Sequence, residues 1–347
     1  MRCYTFQNGA FDPDRYAPGR EIPPEELPAG SVLILGGFDG VHRGHRALFD
    51  AALSAARCPD SPTTPPVVCW SLSGLHRACL TTEDEKRFFF RLYGASAAVF
   101  EDFGTIRSLS GEAFFREILV KRLRPSTLVC GFNFTFGCGA SCGPDDLVRF
   151  SEEAGIRAVV CPPVTDGGEV ISSTRIRALI ADGQTEEAAR LMGHPYPVSA
   201  DVCPGRRIGR TIGRPTLNQR LPDGKLAPPR GVYASLTLLT PENGGSLCLA
   251  PSVSNLGSRP TVNEDGDDVT LETHVLGADL SGSFRARRPH LVVWLGEFLR
   301  PERKFDSLDE LKAAIAADTE AARLPISRLL GLDPACAVPW TADDLLL

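Results

Sequence analysis

The 347-residue sequence is sparing in several residue types at once: two methionines, three tryptophans, five tyrosines and six histidines. It has no apolar run near the ~20 residues that a membrane-spanning helix needs, and Met1-Arg2-Cys3-Tyr4-Thr5 leads into no apolar core of a signal peptide. No membrane partner and a cytoplasmic location are the expectation. Positive charge is in deficit, 37 basic against 43 acidic residues for a net charge of −6 at pH 7. Nucleic acid is therefore not an expected partner, because a surface that neutralises many phosphates must be basic. Paired metal-ligand spacing is missing too. The eleven cysteines, scattered from Cys3 to Cys336, are odd in number and read as reduced thiols, and the nearest cluster, Cys130, Cys138 and Cys142, has no partner histidines. What remains is a composition of 43% hydrophobic and 23% charged residues, that of a folded globular protein. At roughly 150 residues per domain, two cores are expected.

The chain is organised in two styles. From Ser31 onward, β-branched runs alternate with helical stretches, the pattern of a parallel sheet covered by crossover helices. Strands are expected over Ser31–Leu35, Val67–Leu72, Ala97–Phe100, Thr127–Gly131 and Ala158–Cys161. Helices are expected over Gly44–Ala56, Glu83–Tyr93, Gly111–Arg122 and Pro144–Ala154, with another from near Ser173. This is an open, Rossmann-like α/β domain, placed at residues 1–183. A short helix, Thr185–Met192, and the breaker Gly193-His194-Pro195-Tyr196-Pro197 suggest a linker over 184–197. Beyond it, Val198–Val202, Val232–Leu239, Val269–Leu276 and Leu291–Phe298 read as strands without long helices between them, an antiparallel β-barrel or sandwich. A helix from Ser307 to Arg323, capped by Ser307 and Glu310, closes this domain at 198–323, and 324–347 reads as a tail.

The first chemical constellation is Leu35-Gly36-Gly37-Phe38-Asp39-Gly40-Val41-His42-Arg43-Gly44-His45, which follows a strand and opens a helix. Glycines allow a sharp turn close to a ligand, and the positive end of a helix attracts phosphate. Two histidines three apart are expected to face that phosphate together and donate to the charge that develops there. Further on, Val129-Cys130-Gly131-Phe132-Asn133-Phe134-Thr135-Phe136-Gly137 ends a strand. The stretch Ile171-Ser172-Ser173-Thr174-Arg175-Ile176-Arg177 sets hydroxyl caps and a permanent cation at a helix start. Together these segments resemble the nucleotidyltransferase superfamily, specifically the adenylyltransferase module of the bacterial bifunctional riboflavin kinase and FMN adenylyltransferase family. The resemblance implies His42, His45 and Arg177 as catalytic residues. It implies Gly37, Phe38, Asp39, Gly40, Gly44, Ser172, Ser173 and Thr174 at ATP, and Asn133 and Phe136 at flavin.

The second constellation, Gly205-Arg206-Arg207-Ile208-Gly209-Arg210-Thr211-Ile212-Gly213-Arg214-Pro215-Thr216-Leu217-Asn218, combines flexible backbone, cations, a hydroxyl and an amide. Such a stretch can cradle a triphosphate and help hold a Mg²⁺ that keeps several waters. It is similar to the Gly-x-Pro-Thr-x-Asn segment of the riboflavin kinase module, with Arg214 where that family most often has Phe. The segments around Gly231, Asn255, Glu272 and Phe298-Leu299-Arg300-Pro301 follow the same family in order, and Asp279-Leu280-Ser281-Gly282 lacks its tyrosine. The resemblance implies ATP at Gly205, Arg206, Gly209, Thr211, Gly213 and Pro215, and Mg²⁺ at Thr216 and Asn218. It further implies flavin at Arg300 and Phe305, and Glu272 as the base that deprotonates riboflavin.

The expectation is a bifunctional enzyme with riboflavin, FMN, FAD and ATP as its small-molecule partners and Mg²⁺ in both steps. One departure leaves an alternative open: Trp70-Ser71-Leu72-Ser73-Gly74-Leu75-His76-Arg77-Ala78 stands where the family carries Phe-x-Pro-His-Pro. A working kinase beside a weak or altered adenylyltransferase would fit that change. A non-catalytic binder is the third reading, against which His42, His45, Thr216, Asn218 and Glu272 speak.

Overall fold

The computed structural model describes residues 1–6, 19–57, 64–74, 78–205, 214–239, 248–259, 268–277 and 290–330. Its first sheet follows from side-chain alternation. In β3 (Val32–Gly36), Val32 and Ile34 enter the core on one face while Leu33 and Leu35 enter that on the other. Strands β4 (Val67–Ser73) and β6 (Thr127–Gly131) do the same, so both faces are buried, as a sheet under crossover helices demands. Helix α1 (Arg43–Ala56) covers one face through Leu48, Phe49 and Ala52.

The sheet order is β2-β1-β5-β4-β3-β6-β7, with β1 Arg2–Thr5, β2 Arg20–Ile22, β5 Ala97–Asp102 and β7 Arg157–Cys161. The five expected strands are parallel and doubly wound. β1 and β2 are additions: β1 runs antiparallel to β5, with Tyr4 opposite Ala98, and β2 antiparallel to β1. The chain leaves β3 toward β4 on one side, and β6 lies on the other, so the order reverses between β3 and β6. Ligands of doubly wound sheets bind beyond the carboxyl ends at that reversal. Helix α2 (Glu83–Leu92) and α5 (Pro144–Glu153) stand where the periodicity puts them. Before α5 come a turn, α3 (Phe103–Ile106), and α4 (Gly111–Ala113). The helix expected over Gly111–Arg122 is α-wound only in α4, and Phe114–Leu123 is π-wound, ending at a left-handed Arg124 whose N–H reaches the Leu119 carbonyl five residues back. A small ribbon, β8 (Thr165–Asp166) and β9 (Glu169–Val170), precedes α6 (Ser173–Ala181).

Two compact units divide between Ser173 and Thr174. The segment 184–197, expected as a linker, is ordered: it holds α7 (Thr185–Met192) and opens β10 (Tyr196–Cys203), with Thr185 Oγ1 donating to the Gly296 carbonyl at 2.5 Å. The second unit is a closed antiparallel barrel, β10-β11-β14-β13-β12-β15. Its other strands are β11 Leu217–Arg220, β12 Gly231–Leu239, β13 Cys248–Arg259, β14 Asp268–Val275 and β15 His290–Pro301. β11 and β13 were not foreseen. β11 lies inside the motif segment read as a loop, and β13 contains Pro251 and Gly257, which read as breakers yet pair in register with Leu236 and Thr270. Inside, buried hydroxyls pin the register: Ser254 Oγ lies 2.8 Å from both Ser235 Oγ and Thr273 Oγ1, and Thr237 Oγ1 lies 2.7 Å from Ser252 Oγ.

The final helix corrects the expected tail. α8 (Leu308–Leu330) continues seven residues past Arg323, through Pro325, because Ile326 is fully buried and Leu329 packs at Gly296 of β15. Packing overrides the proline. Ser307 caps it as expected, accepting from Glu310 N at 3.2 Å, while the Glu310 carboxylate accepts from Asp306 N. Among the described residues no helix is long and apolar enough to cross a membrane.

Candidate functional site

The reversal between β3 and β6 opens into a cavity of about 630 Å³. Gly36, Gly37 and His45 line it from the β3 side, Asn133, Thr135 and Phe136 from the β6 side, and Trp70, Leu72, Arg107 and Ser173 complete it. The loop from β3 to α1 is an unusual backbone: Phe38 and Val41 have φ of 51° and 37°, with Gly40 at 82° between them. Non-glycine residues rarely adopt such angles, and a β-branched one almost never does.

The start of α2 holds this loop residue by residue. Lys86 Nζ donates to the Gly37 carbonyl at 2.6 Å, and Thr81 Oγ1 donates to Phe38 O at 3.3 Å and accepts from Gly40 N at 2.9 Å. Asp39 is buried, and its Oδ1 accepts from Leu80 N at 2.7 Å and Thr81 N at 3.1 Å. Phe38 is wholly buried against Phe49 and Phe90. Asp39 is thus a backbone clamp, and the Phe38 ring is a core residue.

The histidines are stacked rather than side by side. His42 is the N-cap of α1: its Nδ1 accepts from His45 N at 3.3 Å, which leaves Nε2 as its donor in the neutral ring. The rings lie 3.7 Å apart at 17°, and His45 lines the cavity while His42, buried, supports it from the cap. Burial, aided by the neighbouring His42 and Lys86, holds the His45 pKa well below 6.5. Gly44 leaves the His42 ring undisturbed, since a Cβ there would sit 3.0 Å from it and the ring would have to shift. Ser173 Oγ donates to the Asp39 carbonyl at 2.7 Å, fastening the hydroxyl segment to the loop. Of its neighbours, Ser172 is half-buried and Thr174 exposed, and Arg177 lies one turn along α6. Phe136 packs on Phe114, Phe134 and Phe150 and lines the cavity from the core side. The sequence reading missed Lys86, Thr81 and Trp70 here. The capped start of α2 after Thr81-Thr82 was the available signal.

In the barrel, a cavity of about 210 Å³ collects residues from four strands and from the segment ahead of β11. Alternation on β14 sends Glu272 and His274 into it, joined by Thr216 and Arg214 from the segment ahead of β11, Asn255 from β13 and Arg300 from β15. Arg303 and Phe305 ahead of α8, and Asp318 on it, close the cavity. Of the expected residues, Thr216, Glu272, Arg300 and Phe305 are together. Asn218 is buried directly across from Glu272 in the β11–β14 register, and Gly205 passes over it so closely that a Cβ would lie 2.3 Å from its amide nitrogen. Pro215 contributes its carbonyl to His274 Nδ1 at 3.1 Å, and Arg214 reaches His274 Nε2 at 3.4 Å. Burial, with Arg214 adding to it, lowers the His274 pKa. Arg300 is committed to Asp318 by two 2.7 Å hydrogen bonds and stands 5.8 Å over the Phe305 ring. His274, Asn255 and Asp318 were not foreseen as site residues. Arg206, Gly209, Thr211, Gly213, His76 and the 279–282 segment lie outside the described residues.

A further chain of donors, Ser199 Oγ to His290 Nε2 at 2.7 Å and His290 Nδ1 to Asp201 Oδ1 at 2.9 Å, has the distances of a nucleophile triad. Its order is inverted: Ser199 is buried and Asp201 is the exposed member. A nucleophile must be the accessible end, so this chain is structural.

Comparisons with known proteins match both halves. A family model described as FAD synthetase covers residues 25–175, and one described as riboflavin kinase covers 192–325. The chain is 36% identical over 300 residues to the bifunctional riboflavin kinase/FMN adenylyltransferase of Escherichia coli, covering 85% of this chain and 92% of that one. To the protein of the same name from Pseudomonas fluorescens it is 33% identical over 308 residues, with the same coverage. A crystal structure titled as a macrolide-efflux protein from Streptococcus pneumoniae superposes with a TM-score of 0.69 at 30% identity, over 86% of this chain and 96% of that one.

Proposed function

The chain belongs to the bifunctional riboflavin kinase/FMN adenylyltransferase family, and from that premise we propose how its residues divide the two reactions. It is a riboflavin kinase and an FMN adenylyltransferase: ATP phosphorylates riboflavin to FMN, and a second ATP adenylylates FMN to FAD with release of pyrophosphate. The alternative of a non-catalytic binder is not favoured. We place both reactions in the cytoplasm, where the eight free thiols among the described residues would stay reduced.

In our reading the sheet cavity performs adenylylation. The FMN phosphate is already an anion, so attack on the α-phosphate of ATP needs charge stabilisation and no base. His45, kept neutral by burial, serves as a hydrogen-bond donor that does not have to give up its proton. His42 orients it through the stack, and Arg177 supplies the permanent cation. Gly37, Gly40, Gly44 and the Ser172–Thr174 segment form the nucleotide cradle, and Asn133 and Phe136 the flavin side. The observation that carries this assignment is the placement of His45 at the sheet reversal, at the mouth of α1.

The barrel cavity performs phosphorylation. Riboflavin's hydroxyl is not ionised, so a carboxylate must take its proton as it attacks the γ-phosphate, and Glu272 is the group we assign. Among the described residues no cluster of three or more His, Cys, Asp or Glu could hold a metal ion. The Thr216 hydroxyl and the Asn218 amide, on one short segment that Gly205 overlies, are oxygen donors of the kind that suits Mg²⁺ shared with ATP phosphates and water. Mg²⁺ held there would neutralise charge on the triphosphate.

The test is direct. Incubation with riboflavin, ATP and Mg²⁺, followed by chromatography, should yield FMN and FAD. His45→Ala should stop FAD formation and spare FMN; Glu272→Ala should stop FMN formation from riboflavin and spare FAD formation from added FMN. Equal impairment of both reactions by both variants would overturn the assignment.

A further inference from the structure

Four consecutive residues of the nucleotide loop, Gly37 to Gly40, are held from behind by one short stretch, Leu80 to Lys86. Four of those ties are made by neutral groups, the backbone N–H groups of Leu80 and Thr81 and the Thr81 hydroxyl. The fifth is a cation: Lys86, 8% exposed, stands on α2 with its Nζ 2.6 Å from the Gly37 carbonyl, and it does not line the cavity. A buried ammonium is costly unless it is hydrogen-bonded and paired, and here the Gly37 carbonyl and the Asp39 carboxylate of the same loop do both.

We propose that Lys86 is a positioning residue for adenylyl transfer: its ammonium, seated on the Gly37 carbonyl, fixes the strained loop backbone that sets His45 and the nucleotide phosphates in register. The inference rests on the assignment of the sheet cavity to adenylylation. Two observations argue for a charged rather than a merely packing role. Burial lowers the Lys86 pKa while the Asp39 carboxylate opposes that shift, so the cation is kept where a counter-charge sits in the same loop. Lys86 also acts on His45, helping to hold it neutral. The titratable groups facing Lys86 are Asp39 from the loop, His45 from α1, Cys79 from the approach to α2 and Glu83 from its first turn.

Because Lys86 touches no substrate, its loss should misplace groups rather than remove a binding contact. In the full-length protein, Lys86→Met should lower kcat for FAD formation by at least tenfold, with KM for FMN within twofold and riboflavin phosphorylation unchanged. The acid limb of the adenylylation pH profile should move to higher pH, since His45 loses a neighbouring cation and protonates more easily. Lys86→Arg, which keeps charge and donor, should return kcat to within threefold and leave the acid limb in place. Full adenylylation in Lys86→Met, or an arginine variant as impaired as the methionine with an unmoved acid limb, would overturn the proposal. Should the methionine variant fail to fold, as seen by its melting profile, Lys86→Gln keeps a donor without charge, and an unmoved acid limb there refutes it. His45→Ala in the same assay separates the two failures: if it still makes FAD, the cavity assignment has failed and the role of Lys86 falls with it, whereas loss of FAD in His45→Ala beside full adenylylation in Lys86→Met refutes the role of Lys86 alone.

Discussion

Gly44→Ala is the smallest change that should separate activity from stability in this protein. The glycine is the second residue of α1 and has no positive φ, so alanine suits its backbone. The new Cβ would lie 3.0 Å from Cε1 and 3.1 Å from Nδ1 of His42. Comfortable carbon contacts begin near 3.5 Å, so the ring must retreat by about 0.5 Å. It cannot do so freely, because Nδ1 holds His45 N at 3.3 Å and the ring face lies 3.7 Å from His45. A 1 Å misplacement costs on the order of 100-fold in rate, so half of that should cost about tenfold in kcat for FAD formation, or ~1.4 kcal/mol. Against the strain stands the helix preference of alanine over glycine, up to about 1 kcal/mol, and the two should leave the folding free energy within about 1 kcal/mol of the parent. The assay is pyrophosphate release from FMN and ATP, with FMN formation from riboflavin as internal control and a urea melt beside it. Unchanged FAD formation would refute the reasoning, and so would a loss matched in the kinase reaction.

Two other outcomes are expected. His45 binds no proton in the fold until well below pH 6.5, whereas the unfolded chain takes one up near 6.5. Stability of the first unit should therefore be flat above that value and fall as pH drops below it, by at most about 1.4 kcal/mol per pH unit; His45→Asn should flatten the slope in urea melts at pH 5 to 7, and an unaltered slope would exclude His45 as its source. Asp318→Ala removes both 2.7 Å bonds to Arg300 from a carboxylate only 9% exposed. It should cost about 2–3 kcal/mol in the second unit, read as a lower denaturation midpoint, and an unchanged midpoint would show that the pair is not what docks α8 on β15.

The architecture was legible where chemistry and periodicity coincide. The five parallel strands, α1, α2, α5 and α7 follow from alternation and helical spacing, and the barrel follows from strands spaced by glycine and proline. The missed strands each lack such a signal: β1 and β2 are four and three residues long, and β13 carries Pro251 in a register that the sheet tolerates. α8 outran its expected end because burial of Ile326 outweighs the local effect of Pro325. In the sites, the motif residues could be named because the chemistry dictates their type. What supports them could not: the Thr81 and Lys86 ties span 41 and 49 positions, and Asp318 meets Arg300 through a helix that periodicity does not aim. The stacking of His42 on His45 was likewise invisible, since spacing of three puts both on one helix face without saying which is the cap.

The strain at Phe38 and Val41 bears on whether this loop could be moved elsewhere. Residues at such φ values cost about 1–3 kcal/mol each and persist only where their surroundings over-determine them, and here the surroundings belong to the beginning of a different helix. The segment from Leu35 to His45 is therefore not a cassette. Spliced onto another doubly wound sheet it would carry every letter of its motif and relax out of shape, and a chimera would have to transplant Leu80 to Lys86 along with it to inherit the geometry.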